Sequence, residues 1–166
     1  AHSAYVLIKS EKGKPMSSEN ELIKLYSERI LALATELPAP ARLDKPDGSV
    51  KKRSPLFGST LTVDVKVQNG KISEFAQEVK ACALGQASAS VIGKSAIGCT
   101  ITEIQTARDA LHDMLKTGAP APAGAFEGLE VLMPAKDFKN RHASIMLSIE
   151  ATLEAMKQAE EKENCA

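Results

Sequence analysis

Ala81-Cys82-Ala83-Leu84-Gly85-Gln86-Ala87-Ser88-Ala89-Ser90-Val91 sets a cysteine where an extended segment gives way to a run of small residues with helical character. A thiol just ahead of a first helical turn faces backbone N–H groups that lack an intrahelical acceptor, and the positive end of the helix dipole. Its thiolate, the form that accepts sulfur or binds iron, is therefore favoured. The competing reading is a packed core thiol, the commoner fate of a lone cysteine among small apolar residues. The junction weighs against it, because strand-to-helix junctions lie at the surface. Alternating Ala and Ser then lets the helix pack closely and leaves room around the sulfur.

Upstream of this stretch, Leu61, Val63, Val65 and Val67 alternate with Thr62, Asp64 and Lys66, the two-residue rhythm of a half-buried strand. Asn69-Gly70 is a hairpin turn signal. In the returning strand, residues 72–80, Phe75 and Val79 share one face and Ile72 falls on the other, so a bulge or burial on both faces is open. Further back, Ser18 and Glu21 form a capping box, and Leu22, Tyr26, Ile30, Leu33 and Leu37 follow at helical spacing. They predict a first helix over residues 19–36, closed by the loop of Pro38 and Pro40.

Downstream, residues 84–97 read as a helix weakened by Gly93, and Thr100 with Glu103 opens a capped helix to about residue 116. Residues 117–128, with Pro120, Pro122 and three glycines, read as a loop. A short helix near 129–133 and a long one over 137–160 follow, the latter with Ile145, Ile149, Leu153 and Met156 as its buried stripe. Strands followed by segregated helices predict an α+β domain with an antiparallel sheet. That domain is placed at residues 19–160, after an N-terminal extension (1–18) and before a polar tail (161–166).

The chain of 166 residues suits one domain. Its 21 basic and 21 acidic residues balance, and aromatics are only 4%, so neither the basic footprint nor the stacking platform of a nucleic-acid binder is present. No apolar run is long enough to span a bilayer and no secretion signal is visible, so a cytoplasmic setting without membrane contact is expected. Cys82, Cys99 and Cys165 are odd in number and widely spaced, which argues against a disulfide framework and a self-contained zinc knuckle. Hydrolase, phosphate-loop and metalloprotease motifs are missing, and His112 beside Asp109 and Asp113 reads as a solvated helix face.

Two further segments bear on chemistry. In Asn140-Arg141-His142-Ala143-Ser144-Ile145, His142 lies on or beside the apolar face, either as a hydrogen-bonded structural histidine or as a metal ligand. Arg141 is either a solvated surface charge or a cation that favours a nearby thiolate. Ser54-Pro55-Leu56-Phe57-Gly58-Ser59, taken alone, is an ordinary turn ahead of a strand.

Together the three segments resemble the IscU/NifU amino-terminal family of iron–sulfur cluster assembly scaffolds. The family's pattern is Pro-x-Cys-Gly-Asp before a strand, Gly-Cys followed by small residues and Ala-Ser-x-Ser, and a late His-Cys-Ser or Lys-Cys-Ala. The resemblance runs from about residue 19 to 158 and is most specific around Cys82. It implies a first helix, a three-stranded antiparallel sheet with a short strand near residues 50–53, and a helical C-terminal half, the IscU/SufE-like fold. Phe57 stands where the family has its first cysteine, Ser59 where it has its aspartate, and Ala143 where it has its third cysteine. Cys82 and His142 are the matching ligand positions that remain.

The resemblance implies a non-enzymatic scaffold or accessory that holds iron, sulfur or a labile iron–sulfur cluster through Cys82 and His142. A cysteine desulfurase would be its sulfur donor and apo iron–sulfur proteins its acceptors. A [2Fe–2S] cluster ordinarily takes four protein ligands, and two chains pairing their Cys82 and His142 in a homo-oligomer would supply two thiolates and two imidazoles. Some family members hold zinc with the same ligands, which makes zinc a further cofactor to test. Two other readings stand beside this one: a metal-free carrier whose Cys82 receives sulfur as a persulfide, and a binding module that kept the fold and lost the chemistry. Cys165 near the polar tail reads as a mobile terminal thiol, with a reach to the Cys82 site as the alternative.

Overall fold

A computed structural model describes residues 26–56 and 58–165. The capping box at Ser18 and Glu21, Leu22, the proposed N-terminal extension and Phe57 lie outside the described residues. The first described helix, α1 (Glu28–Thr35), starts at Ser27, whose backbone is extended (ψ 164°) and whose hydroxyl accepts the Ile30 N–H. Of the helix predicted over 19–36, the part among the described residues starts only after Ser27, whose side chain caps it, and ends at Thr35. Ile30 is the residue of this helix that enters the core.

Three strands follow, β1 (Gly48–Arg53), β2 (Thr60–Gln68) and β3 (Lys71–Lys80), in the sheet order β1-β2-β3 with both pairings antiparallel. Asn69 and Gly70 both have positive φ (55° and 77°), as the tight hairpin between β2 and β3 requires. The irregularity foreseen in the returning strand is there: the register shifts between Lys66 and Val67, where Glu74 and Ile72 are the successive partners and Ser73 of β3 is the extra, bulged residue. It lets Val67 oppose Ile72 while Val65 opposes Phe75.

Val50, Leu61, Val63, Val65 and Ile72 are buried, and the helical half covers them. It consists of α2 (Ala83–Ser95), α3 (Ile101–Thr117), a 3-10 segment (Gly124–Asp137), a 3-10 turn (Lys139–Arg141) and α4 (His142–Cys165). The Thr100/Glu103 capping box of α3 is formed, and Gly118 closes that helix at φ 77°. The expected short helix near 129–133 is part of a longer 3-10 run that begins inside the predicted loop. Phe126, Leu129, Leu132 and Ala135 pin it at roughly three-residue intervals, the period of that helix. The long helix begins at His142 rather than near residue 137, after the 3-10 turn, and continues to Cys165.

α4 lies against the sheet at very close range. A Cβ on Gly48 would sit 1.9 Å from the Ala155 carbonyl oxygen, so the helix reaches β1 only because position 48 has no side chain. Lys52 pairs with Glu154 at 2.5 Å, and Gln158 accepts the Ser49 N–H at 2.9 Å. The opposite face of the sheet holds Asp64, whose side chain is fully buried. It accepts from Arg42 Nε (2.7 Å), the Leu43 N–H (3.0 Å) and the Ser49 hydroxyl (2.6 Å), and so fastens the segment ahead of β1 to β2. Burial alone would raise the Asp64 pKa, but the Arg42, Ser49 and Leu43 hydrogen bonds hold it below the usual carboxylate value.

Candidate thiolate site at the N-terminus of the second helix

β3 delivers the chain to Cys82, which is the N-cap of α2 with an extended backbone (φ −66°, ψ 170°). Its side chain is half-buried, neither a packed core thiol nor a fully solvated one. The sulfur lies 3.6 Å from the Ser144 hydroxyl in the first turn of α4, and it makes no capping hydrogen bond to the first turn of α2, whose Gly85 and Leu84 N–H groups nevertheless favour its anion. Half-burial pushes the Cys82 pKa upward. The Gly85 N–H, the Ser144 hydroxyl, the Leu84 N–H and the positive charge of Arg141 outweigh it, so the net shift is down. A thiol shifted in this direction is more readily ionised at neutral pH, the form in which sulfur acts as a nucleophile.

The packing that creates this environment is local. A Cβ on Gly85 would stand 2.8 Å from Ser144 Oγ and 2.8 Å from Ala81 Cβ, so Gly85 is what admits the Ser144 hydroxyl to the sulfur. Behind it, Ala87 and Ala89 are fully buried, and Ser88 donates to the Ile145 carbonyl at 2.7 Å, which holds α2 on α4. Gln77 on β3 donates to the Ala89 carbonyl (2.8 Å) and accepts from Ser148 (3.0 Å), locking both helices to the sheet.

Ser144 also meets Ser59 at 3.1 Å, and both side chains are buried. The loop that Ser59 ends is closed by the Ser54 N–H on the Ser59 carbonyl (2.8 Å) and by the Ser54 hydroxyl on the Leu56 carbonyl (2.9 Å). Ser59, Ser144 and Cys82 thus form a chain of contacts joining the three segments singled out in the sequence. Ser144 and Gly85 are the members that sequence reasoning passed over. The signal available for them was a serine two residues after the candidate histidine and a glycine in a first helical turn.

His142, the first residue of α4, is half-buried with its ring turned to the end of the 3-10 segment. Nε2 lies 2.9 Å from the Ala135 carbonyl and 3.2 Å from the Lys136 carbonyl. Carbonyls only accept, so Nε2 carries the proton and Nδ1 keeps the lone pair in the neutral ring. Metal-binding histidines are commonly oriented in this way, by a carbonyl on the other nitrogen. Helix geometry sets His142 and Ser144, two positions apart, in different directions, so the side chain that meets the sulfur is Ser144, with the Gly85 and Leu84 N–H groups and the Arg141 charge favouring its anion. Ala143 is exposed and brings no donor.

Among the described residues, no group of three His, Cys, Asp or Glu side chains could hold a metal ion. A four-coordinate zinc site, which needs four donors, has no support in this donor set. Cys99 is buried, donates to the Ser95 carbonyl at 3.2 Å, and has its pKa raised by burial and by Glu103. Cys165 is exposed at the end of α4. His112 contacts Asp113 at 3.5 Å on the partly solvated face of α3, as expected. No described helix is long and apolar enough to cross a membrane.

No protein-family model matches the sequence, and no curated protein does. Solved structures do match. A NifU-like protein (N-terminal) from Brucella abortus is 42% identical, with a TM-score of 0.82, over 85% of this chain and 98% of that one. The chain belongs to the IscU/NifU-type family. Two further structures show the same fold at lower identity. One is a putative iron–sulfur cluster assembly scaffold protein for the SUF system from Fervidobacterium islandicum AW-1 (19% identical, TM-score 0.73, 81% of this chain and 98% of that one). The other is a hypothetical protein (22% identical, TM-score 0.72, 81% and 98%). This member of the IscU/NifU-type family keeps the architecture, α+β with a three-stranded antiparallel sheet, and a single cysteine at the positions where the family pattern has three.

Proposed function

We propose that this protein serves iron–sulfur cluster assembly as a scaffold or accessory, and that the Cys82 thiolate is the atom that holds the sulfur in transit. The observation behind this reading is the Cys82 environment. The sulfur stands at the start of α2 with two backbone N–H groups, the Ser144 hydroxyl and the Arg141 charge arranged around it, all favouring the anion. The sulfur donor would be a cysteine desulfurase and the recipients apo iron–sulfur proteins. The protein itself acts as a carrier and not as an enzyme.

Loading balances without an added oxidant. The Cys82 thiolate attacks the outer sulfur of a donor persulfide, the new S–S bond forms as the donor's S–S bond breaks, and the donor leaves as a thiolate. To test this, the protein is incubated anaerobically with a cysteine desulfurase and cysteine, then alkylated and mapped by mass spectrometry. One extra sulfur on the Cys82 peptide, absent in Cys82→Ser, is the expected result; an unmodified Cys82 overturns the reading.

A second reading has its own observation. The Nε2–carbonyl contacts of His142 leave Nδ1 as a lone-pair donor, so iron or a labile cluster, as cargo, would use Cys82 and His142 together with donors from outside this chain. Reconstitution with ferrous iron and sulfide tests it. Bound iron lost in both Cys82→Ser and His142→Ala favours this reading, and iron retained in either variant rules it out.

A further inference from the structure

We propose that a sulfur loaded on Cys82 is not discharged within this chain, because no second thiol of it can reach Cys82, and that it leaves by thiol–persulfide exchange with another molecule. The inference rests on the sulfur-bearing role given to Cys82 above and adds the class of reaction that must consume the loaded form.

The chain has three cysteines, and the fold holds them apart. Cys82 caps the start of α2, while Cys99 lies beyond its far end with its sulfur on the Ser95 carbonyl. The 13 residues of that helix separate them by about 20 Å at 1.5 Å per residue. Cys165 ends α4, whose first turn carries the Ser144 that touches Cys82. The helix length between Ser144 and Cys165 is about 30 Å. A disulfide needs Cα atoms no more than about 7 Å apart. Both spacings are fixed by rigid helices. Cys99 is further fastened by backbone bonds between residues 98–99 and Ile72 (Gly98 N–H to Ile72 O, 2.8 Å; Ile72 N–H to Cys99 O, 3.0 Å).

This separation decides the fate of the persulfide. An internal thiolate, were one in reach, would attack the inner sulfur, form an intrachain disulfide and expel sulfide, so the cargo would be lost. Here that route is closed. The outer sulfur stays on Cys82 until an external thiolate attacks it: the new S–S bond forms on the acceptor, the Cys82 S–S bond breaks, and Cys82 returns to thiolate, ready to load again. An external thiolate that attacks the inner sulfur instead forms a mixed disulfide and releases sulfide. In either case the consuming reaction is thiol–persulfide exchange with a second molecule.

The test loads the intact protein with inorganic polysulfide, removes the excess and follows free sulfide, with peptide mapping at the end. Expected is a stable extra sulfur on Cys82, with sulfide release at least ~10-fold faster once glutathione is added than without it. A peptide pair joining Cys82 to Cys99 or Cys165, formed at a rate independent of protein concentration, overturns the inference and leaves the sulfur-bearing role intact. Failure of Cys82 to take up sulfur overturns both. The mapping uses the native chain, so no variant has to fold for the result to count.

Discussion

Ser144 does more for Cys82 than any other side chain, since it brings a hydroxyl to the sulfur from the neighbouring helix while Ser59 holds that hydroxyl from the other side. Ser144→Ala therefore raises the Cys82 pKa back toward the ordinary thiol value. Iodoacetamide alkylation at neutral pH slows by roughly fivefold, the worth of about 1 kcal/mol of hydrogen bonding. An alkylation profile unchanged in pH would show that the hydroxyl is a bystander. Asp64 is a second residue whose shifted pKa carries a consequence, here for stability. Its folded pKa lies below its unfolded value, so the stability it contributes is present above the ordinary carboxylate pKa and lost as pH falls through the folded one. Asp64→Asn should cost about 1–3 kcal/mol at neutral pH, because Arg42, Ser49 and the Leu43 N–H lose a charged acceptor. The gap between variant and wild type should close in acid, as read by denaturant melts.

At the scale of elements, the approach of α4 to β1 and to α2 depends on two positions without a side chain, Gly48 and Gly85. The two differ in what an added methyl meets. At Gly48 it meets backbone, the Ala155 carbonyl, and α4 must move off the sheet. At Gly85 it meets Ser144 Oγ and Ala81 Cβ, with the Ser144 carbonyl oxygen at 3.2 Å, so the Cys82 surroundings and the seat of α4 on α2 are both disturbed, though less severely than at Gly48. Gly48→Ala should therefore destabilise by about 3 kcal/mol or more, and Gly85→Ala by about 1–3 kcal/mol while slowing Cys82 alkylation as Ser144→Ala does. Equal melting temperatures for wild type and Gly48→Ala would contradict the packing described. The hairpin and α3 were legible because their signals are local: two-residue alternation, Asn69-Gly70, and the Thr100/Glu103 box all act within a few residues. The 3-10 run over Gly124–Asp137 was not legible. Its composition of Gly, Pro and Ala suits a loop, and only burial of Phe126, Leu129 and Leu132 against the helices makes it regular.

For the molecule as a whole, one donor-poor site per chain sets what it can do alone. The two ligands of the iron-holding reading, Cys82 and His142, would fall short of the four of a [2Fe–2S] cluster, and among the described residues no group of three His, Cys, Asp or Glu side chains could hold a metal. A monomer reconstituted with iron and sulfide should then show visible absorption well below that of one cluster per chain, and any cluster formed should elute with an assembly of chains. A full cluster on a monomer would refute this count of donors.

The sequence by itself determined the order of elements, the antiparallel hairpin and the position of Cys82 at a helix start, because alternation, turn chemistry and capping are written in neighbouring residues. It also determined the family, through motifs spread from residue 54 to 145, and the depletion of its ligands. The tertiary structure decided what surrounds the sulfur. Ser144 and Cys82 are 62 residues apart in the chain, and only the close packing of α4 on α2, permitted by Gly85 and fastened by Ser88 and Gln77, brings them into contact. It likewise turned His142 toward two carbonyls and set Cys99 and Cys165 far from Cys82. Such facts depend on how helices sit in space, and no local pattern encodes them.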